Sequence, residues 1–280
     1  MSNNEYTIGI HFGHDATVCL MEKGVVLEAM SEERLSRQKK HAGFPILSLD
    51  YIKKKYNIEK FKKAYIVGSD PGKYDYIFET QESNKIYRQN QTKDKNLFFK
   101  SVAFMLPIVY LAIDVREKIL LAKARKGLGK KVVSFLKEKL PGTEFVFVNH
   151  HLAHAYASTF FFNDSHQRLI FTLDGEGDGL SGSVNLFREN NIEVLKTIPF
   201  DASLGMLYSA FTELLGMKRN EHEFKVMGLA PYAKEEAGEK VYKKLKELIW
   251  FDPKEMTFKS KFPLKKAPGY LHYKRSEEHT

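Results

Sequence analysis

Short apolar segments alternate with glycine-containing polar turns at the start of the chain, which is the pattern of a β-meander. Three strands are predicted there, at Thr7–Phe12, Ala16–Met21 and Val25–Ser31. The first connecting turn, Gly13-His14-Asp15, presents polar side chains, and the second is a plain tight turn. We therefore expect a three-stranded unit whose first turn carries chemistry.

The same order of elements returns after residue 168. Strands are predicted at Leu169–Leu173, Gly182–Arg188 and Ile192–Ile198, and an acidic, glycine-rich turn, Asp174–Gly179, follows the first of them. The repeat is architectural and not identical in sequence. Two hairpin-led units, each presenting its first turn, match the plan of the actin-like ATPase fold.

Segments with helical spacing of apolar residues lie between and after these strand units. A period of three to four residues predicts helices at Pro45–Tyr56, Lys130–Leu140, Ala153–Phe161, Gly205–Leu215 and Lys234–Ile249. Further strands are predicted at Ala64–Gly68 and Glu144–Val148, and Leu97–Lys126 is predicted to be mostly helical. We therefore predict an α/β protein with the actin-like (ASKHA) ATPase fold. Its two RNase H-like subdomains would cover residues 1–165 and 166–274, the second being incomplete.

Three polar segments are predicted to be irregular. Glu32–His41 is dense in charge, and we interpret it as a solvated loop, as most charge runs are, or as an anion-binding lip over the first turn. Gly216–Tyr232 is predicted to be rich in loops, and the hydrophobic pattern fades after Asp252.

The segment from His150 to His154 contains three imidazoles in five residues and directly follows a predicted strand. His150 and His154 are four residues apart, so on a helix they share one face and can ligate one transition metal ion. The pattern lacks the glutamate of the zinc protease motif, and no third ligand is recognisable nearby. Because many histidines only cap or pack, metal binding depends on the motifs around this pair.

The acidic segment after the repeated first strand alternates three acids with three glycines, which is more than a hairpin turn requires. Carboxylates bind cations, and glycines let backbone N–H groups approach phosphate oxygens. We therefore predict that nucleotide phosphate is bound by Asp174, Gly175, Gly177, Asp178 and Gly179. In the matching first turn, His14 is the candidate general base, because imidazole is the side chain that most often accepts a proton in catalysis.

Composition limits the remaining choices. The single cysteine, Cys19, excludes a disulfide within the chain and favours a reducing cytosol. The net charge of +9 comes largely from lysines on predicted helix faces, and without an aromatic-interleaved basic motif we do not expect a nucleic-acid surface. The longest apolar run, Val102–Ile113, is too short to span a bilayer, so we expect a cytoplasmic protein without a membrane segment.

Taken together, these motifs resemble the O-carbamoyltransferase family, which modifies nodulation factors and antibiotics such as cephamycins and aminoglycosides. The matching residues, in chain order, are Gly13–Thr17, Glu32–Arg34, Arg37, Lys39, His41, Phe44-Pro45, His150–Ala155, Asp174-Gly175, Gly177–Gly179, Ser203–Gly205, Tyr208, Thr212 and Lys225–Tyr232. They span residues 7–232, and their combination is far more specific than any single motif.

The resemblance implies ATP-dependent carbamoyl transfer. In the family, carbamoyl phosphate and ATP (with Mg²⁺) give carbamoyl-adenylate in a YrdC-like domain. A Kae1-like domain then passes the carbamoyl group to a hydroxyl of a sugar or natural product. By similarity, His150 and His154 would ligate Fe(II) or another divalent metal, His14 would deprotonate the acceptor hydroxyl, and Arg37 and Lys39 would contact anions.

The expected partners are therefore a small-molecule hydroxyl acceptor and a C-terminal YrdC-like domain, and we allow for a homodimer. The chain ends before the family's later aspartate ligand, its adenine-binding segment and the YrdC-like domain. We interpret it as an N-terminal fragment with negligible activity from carbamoyl phosphate and ATP on its own. Its last six residues, Arg275–Thr280, match the translation of a common sequencing adapter, and we hypothesise that they are an artefact.

Two alternatives stay open at this point. A relative of the tRNA threonylcarbamoyl-transferases would use the same histidine pair and would explain the basic charge, although Glu32–Pro45 and Met227–Tyr232 favour the small-molecule enzyme. A non-catalytic module that binds metal or nucleotide would share these motifs without turnover. Substrate-dependent carbamoylation would distinguish an enzyme from such a module.

Overall fold

The computed structural model describes residues 6–69, 127–162 and 166–261. The chain divides into two compact units, the first ending at Val148 and the second beginning at Asn149. None of the helices in these described ranges is long and apolar enough to cross a bilayer.

Two predictions lie outside the described residues: the mostly helical segment 97–126 and the adapter-like residues 275–280. The predicted boundary after residue 165 differs from the observed division by one helix, residues 150–159, which groups with the second unit. That helix packs against the sheet of the second unit.

A mixed sheet forms the described part of the first unit, in the order β3-β2-β1-β4-β5. Its strands are β1 (Tyr6–His11), β2 (Thr17–Glu22), β3 (Val25–Ser31), β4 (Lys63–Val67) and β5 (Glu144–Val148). The first three form the predicted antiparallel meander, and β4 and β5 extend the sheet in parallel from the other edge of β1. Three helices accompany the sheet: α1 (Glu32–Ser36), α2 (Ile46–Tyr56) and α3 (127–139).

One apolar core holds the first unit together. Ile8 and Ile10 alternate along β1, so they point to the same side of the sheet, and both are buried. They belong to one cluster with Leu49 and Ile52 of α2 and with Leu136 of α3. The strand period of two and the helix period of three to four therefore meet in one core, as the sequence pattern predicts.

The second unit contains an antiparallel sheet in the order β6-β7-β8. Its strands are β6 (Arg168–Gly177), β7 (Leu180–Arg188) and β8 (Asn191–Pro199). The other described elements are α4 (His150–Thr159), α5 (Leu204–Leu214), α6 (Glu223–Leu229), α7 (Glu235–Leu248), β9 (Ile249–Asp252) and β10 (Thr257–Ser260). The repeat of strand, turn, strand, turn, strand is thus observed in both units.

Three segments predicted to be irregular contain regular structure. The charged run begins with helix α1, the loop-rich segment contains α6 and a short 3₁₀ helix at Ala230–Tyr232, and the chain after Asp252 returns as β10 to pair with β9. These elements are short, so they contribute too few apolar repeats to be visible as a period in sequence.

The carboxylate of Glu32, within the segment predicted to be solvated, is buried and ties α1 to α2. Its two oxygens accept hydrogen bonds from the backbone N–H groups of Leu47 at 2.9 Å and Ser48 at 2.8 Å. These groups lie in the first turn of α2, where N–H groups lack partners within the helix and the helix dipole favours negative charge. The N–H of Glu32 also donates to the carbonyl of Ala16 at 2.8 Å, which fixes the end of the first turn.

Replacing Glu32 should destabilise the protein. Glu32→Ala is expected to lower the free energy of unfolding by about 2–4 kcal/mol, because it leaves the N–H groups of Leu47 and the buried Ser48 without a charged acceptor. Glu32→Gln keeps one acceptor oxygen and should cost less. Urea unfolding followed by circular dichroism would measure both. Glu59→Ala, at an exposed position of the same unit, is the control and should change stability by about 0.5 kcal/mol at most. Equal stability of the Glu32→Ala and Glu59→Ala proteins would contradict this role.

Candidate metal centre

Two side chains fix the N-terminus of α4. Asn149 is its N-cap residue, and its side-chain oxygen accepts a hydrogen bond from the N–H of Leu152 at 3.1 Å. Oδ2 of Asp178 accepts one from the backbone N–H of His150 at 2.8 Å and one from the side-chain amide of Asn149 at 3.2 Å. The helix that carries the histidines therefore begins at a point held by the acidic segment.

Three side chains of ligand type converge where α4 meets the end of β6. Nε2 of His150 lies 2.8 Å from Oδ2 of Asp174 and 3.0 Å from Nε2 of His154. Nε2 of His154 is 3.5 Å from the same carboxylate oxygen. The prediction that His150 and His154 share one helix face is therefore confirmed, and Asp174 completes a group whose ligand atoms all lie within 4.8 Å of one another.

The donor set of this group fits a divalent transition metal. Imidazole nitrogen and carboxylate oxygen are ligands that Fe, Zn and related ions accept. Three protein donors also leave coordination positions open for a substrate, as catalytic metal sites do. The Nε2 atoms of His150 and His154 face each other. A hydrogen bond between them places one proton between the two nitrogens, whereas a metal cation would accept the lone pairs of both.

The charges within the group agree with its geometry. Hydrogen bonds from His150 and then His154 hold the pKa of the Asp174 carboxyl far below its usual range. The hydrogen bond to Asp174 in turn raises the pKa of His154, against an opposing effect of burial. Burial lowers the pKa of His151, the third histidine of the segment, which points away from this group into the protein. Asp174 is therefore ionised near neutral pH, as a metal ligand must be.

A bulge in β6 begins directly after Leu173, and Asp174, like Thr172 two residues earlier, contacts a histidine of α4. The pairing of β6 with β7 is interrupted at residues 174–176 and resumes at Gly177. Bulges of this kind bend a strand and redirect its side chains. The hydroxyl of Ser203, the N-cap of α5, supports the bulge by donating to the carbonyl of Gly175 at 2.8 Å.

The acidic segment is mostly strand, so the prediction of a turn over Asp174–Gly179 is wrong in extent. β6 continues through Gly177, and the turn consists of Asp178 and Gly179, with φ values of 55° and 81°. Asp-Gly pairs favour turns in isolation. Here the hydrogen bonds from Ser203 to the carbonyls of Asp174 and Gly175, and the pairing with β7 that resumes at Gly177, keep the first part of the segment extended.

The structure gives several of the predicted phosphate-binding residues other contacts. Asp174 faces the histidines, Asp178 holds the start of α4, and the N–H of Gly175 donates to Oδ1 of Asp174 at 2.6 Å. The phosphate role of Asp174, Gly175, Gly177, Asp178 and Gly179 stays a prediction. Sequence reasoning missed Asp174 as a ligand. An aspartate directly after a predicted apolar strand was the available signal, but its contact with the histidines depends on how α4 packs against β6.

Gly177 leaves the space that the ring of His150 occupies. A Cβ atom at position 177 would overlap Cγ and Cδ2 of this imidazole. Any larger residue would therefore displace the ring from the position in which its Nε2 reaches Asp174.

The first unit carries the other predicted site residues, beginning with His14 in the turn after β1. Its Nδ1 lies 2.8 Å from Oδ2 of Asp15, and its side chain is 85% exposed. Because a carboxylate can only accept, Nδ1 carries the proton of the neutral ring and Nε2 keeps its lone pair. This is the tautomer that a general base requires.

The segment that carries Arg37 and Lys39 is held beside the His14 turn. Arg37 itself adopts a left-handed conformation, with φ 58°, where α1 ends. Two backbone hydrogen bonds join the segments: from the N–H of Ala16 to the carbonyl of His41 at 2.9 Å and from the N–H of Gly43 to the carbonyl of Phe12 at 3.1 Å. His14, Arg37 and Lys39 thus lie in neighbouring segments of one unit, and their roles stay predictions.

Known proteins that are similar to this chain include the following three. The chain is 27% identical over 281 residues to uncharacterized protein MJ1051 of Methanocaldococcus jannaschii, across 92% of this chain and 44% of that protein. It is 29% identical to nodulation protein NolNO of Sinorhizobium fredii, across 85% and 30%. Over 102 residues it is 36% identical to nodulation protein NolO of Bradyrhizobium diazoefficiens, across 36% and 18%. The chain spans less than half the length of these curated relatives.

Among solved structures, the chain is similar to the PPX-GPPA enzyme of Aquifex aeolicus, with a TM-score of 0.33 and 10% identity. That similarity covers 82% of this chain and 64% of the other, and it is too low to assign a fold. The model of the carbamoyltransferase N-terminus family, in contrast, matches residues 6–275. The resemblance indicated by the motifs is thereby confirmed, and the chain belongs to the carbamoyltransferase family, whose N-terminal region it represents.

Proposed function

We propose that this chain is the acceptor-carbamoylating part of an ATP-dependent O-carbamoyltransferase. The reaction would move a carbamoyl group from carbamoyl-adenylate to a hydroxyl of a sugar or another natural product. The observation that carries this proposal is the convergence of His150, His154 and Asp174 in a chain of the carbamoyltransferase family. Carbamoyl phosphate, ATP and Mg²⁺ would supply the adenylate through a YrdC-like domain of the longer protein.

We also infer that the two units are RNase H-like subdomains of an actin-like (Kae1-like) fold. The support is the repeated antiparallel order β3-β2-β1 in the first unit and β8-β7-β6 in the second. In each unit the segment that follows the first strand carries the polar residues predicted for the site.

The proposed metal ligands are His150, His154 and Asp174, with Fe(II) or another divalent ion as the metal. When bound, such an ion supplies positive charge that stabilises anionic oxygens during group transfer. The residues of the chain prepare this site. The ionised carboxylate of Asp174 draws both imidazoles to one point, and Asp178 sets where α4 begins.

His14 is proposed as the general base. With its Nδ1–H directed at Asp15, its Nε2 can take the proton of the attacking hydroxyl. The hydroxyl oxygen then forms a bond to the carbamoyl carbon, and the bond from that carbon to the adenylate phosphate oxygen breaks. Negative charge develops on the carbonyl oxygen and on the leaving phosphate, and Arg37 and Lys39 supply cationic side chains beside the same turn.

Metal binding tests the observation that carries the proposal. The purified chain is expected to bind Co²⁺, a spectroscopic probe for such sites. His150→Ala and Asp174→Asn should each weaken binding by about a hundredfold, because each removes one of three donors. Titration followed by visible absorption gives the dissociation constants. Asp50→Asn, at an exposed position of α2, is the matched control and should bind normally. Normal Co²⁺ affinity in Asp174→Asn would sink the assignment of this ligand.

A second prediction concerns the space beside His150. Gly177→Ala is expected to weaken Co²⁺ binding by about tenfold or more, because the new methyl group displaces the imidazole. The control is Gly238→Ala on α7, where an added Cβ meets open space. If Gly177→Ala and Gly238→Ala bind Co²⁺ equally well, metal binding does not require the observed position of the His150 ring.

Carbamoylation assays test the reaction itself. We expect negligible product from this chain alone with carbamoyl phosphate, ATP and Fe(II). A form that includes the YrdC-like domain should carbamoylate a small-molecule hydroxyl acceptor, detected by mass spectrometry. In that form, His14→Ala should lower kcat by about a hundredfold or more with little change in KM, because the base acts on the bound hydroxyl.

The same assay separates the alternatives. A tRNA acceptor and an aminoglycoside would be supplied in parallel to the form with the YrdC-like domain. Modification of the tRNA alone would contradict the proposal and indicate a relative of the tRNA threonylcarbamoyl-transferases. Nucleotide binding without transfer to any acceptor would indicate a binding module.

A further inference from the structure

A chain of buried polar side chains lies behind the histidine helix, on the side of α4 that faces the sheet. Its members are His151 on α4, Thr172 on β6, and Ser183 and Asn185 on β7. All four are buried, and His151 is only 1% exposed. Because buried polar groups are costly unless they are paired, an apolar interface would be the simpler way to dock a helix here.

The hydrogen bonds of this chain have one consistent direction. Nε2 of His151 lies 3.1 Å from the carbonyl oxygen of Leu180, which can only accept, so Nε2 carries the proton. In the neutral ring Nδ1 then accepts, and the hydroxyl of Thr172 donates to it at 3.0 Å.

The direction continues into β7. The hydroxyl of Thr172 donates its proton to His151, so toward β7 its Oγ1 can only accept. It accepts hydrogen bonds at 2.9 Å from both the hydroxyl and the backbone N–H of Ser183. The side-chain amide of Asn185 donates to the hydroxyl of Ser183 at 2.9 Å and to the carbonyl of Ile170 at 3.1 Å. Each hydroxyl in the chain thus has one assigned donor role, and His151 is held as a single neutral tautomer.

The place of this chain in the fold connects it to the metal centre. His151 is adjacent to His150 on α4, and Thr172 is two residues before Asp174 on β6. The bond between His151 and Thr172 therefore joins the helix and the strand that supply the candidate ligands.

Rotation of α4 about its axis is the motion that this bond opposes. A side-chain tip lies about 6 Å from a helix axis, so a rotation of about 10° moves it by about 1 Å. Metal–ligand distances tolerate only about 0.2 Å. The apolar cluster at this interface is small, with Ala155 as the buried member on α4 and Ile170, Phe187 and Ile192 on the strands. Apolar contacts are not directional, so they oppose a small rotation less than a hydrogen bond does.

We propose that His151 is a positioning residue, which fixes the rotation of α4 through Thr172 and Leu180 so that His150 and His154 meet Asp174. This inference rests on the proposed metal site. His151 does not contact the metal in this proposal. It acts through the helix, and the hydroxyl chain behind it keeps its ring in one orientation.

A matched pair of substitutions at position 172 tests the proposal. Thr172→Val keeps the shape and removes the hydroxyl, whereas Thr172→Ser keeps the hydroxyl. Thr172→Val should weaken Co²⁺ binding by about tenfold or more, and Thr172→Ser should stay within about twofold of the unaltered chain. Thermal unfolding of the metal-free proteins is measured alongside, because a purely structural role would change stability without changing the Co²⁺ affinity of the folded protein.

The outcomes separate this proposal from the metal site itself. If His150→Ala abolishes Co²⁺ binding and Thr172→Val leaves it unchanged, the metal site stands and the positioning role is wrong. If the unaltered chain does not bind Co²⁺, both are wrong.

A measurement on the unaltered, metal-free chain covers the case in which Thr172→Val does not fold. Long-range ¹H–¹⁵N correlation spectra at neutral pH should show His151 as the Nε2–H tautomer. An Nδ1–H tautomer would overturn the proposal, because Thr172 could not then donate to the ring. Ser183→Ala, which breaks the next bond of the chain, should also weaken Co²⁺ binding, and unchanged affinity in that variant would count against the chain.

Discussion

The docking of α4 onto the end of β6 is the constraint on which the candidate chemistry depends. Three polar contacts fix the position of α4. Asp178 binds its first turn, His151 binds β6 on its buried side, and Asp174 contacts its candidate ligands. Each of these contacts involves a residue of the hairpin β6–β7, so one hairpin positions both α4 and Asp174. The two candidate ligands on α4 are therefore oriented by Asp178 and His151, which are not candidate ligands, as well as by Asp174.

The bulge in β6 supplies the remaining part of this arrangement. Side chains two residues apart lie on the same side of a strand, so Asp174 faces α4 as Thr172 does, and the pairing of β6 with β7 is interrupted from Asp174 to residue 176. Gly177 must then be small, because the ring of His150 occupies the space of its missing side chain. Gly205, at the start of α5, is also close-packed, since a Cβ there would lie 3.0 Å from the backbone of Gly175. Packing accounts for the glycines at positions 177 and 205, whereas the access to phosphate that the sequence suggested stays a prediction.

The strands and long helices could be predicted because their apolar periods are long enough to identify them. The pair His150 and His154 could be predicted for the same reason, since helical spacing alone places them on one face. Asp174 as their partner could not, because the contact depends on how α4 packs against β6 and not on a period within one segment. Glu32 was also hidden. A glutamate inside a charged segment is predicted to be exposed to solvent. Its burial becomes favourable only through the tertiary contact with the start of α2.

In the two units, different hydrogen bonds stabilise the end of the first strand, and the nearby histidines differ in their exposure to solvent. After β1, the turn with His14 is closed by the backbone of Glu32, and the imidazole remains 85% exposed, where it can exchange protons with solvent and a bound hydroxyl. After β6, the hydroxyl of Ser203 supports a bulge, and the side chain of His150 is only 23% exposed. Partial burial strengthens electrostatic interactions with a carboxylate or a cation. The same architectural repeat therefore provides one position suited to proton transfer and one suited to holding charge.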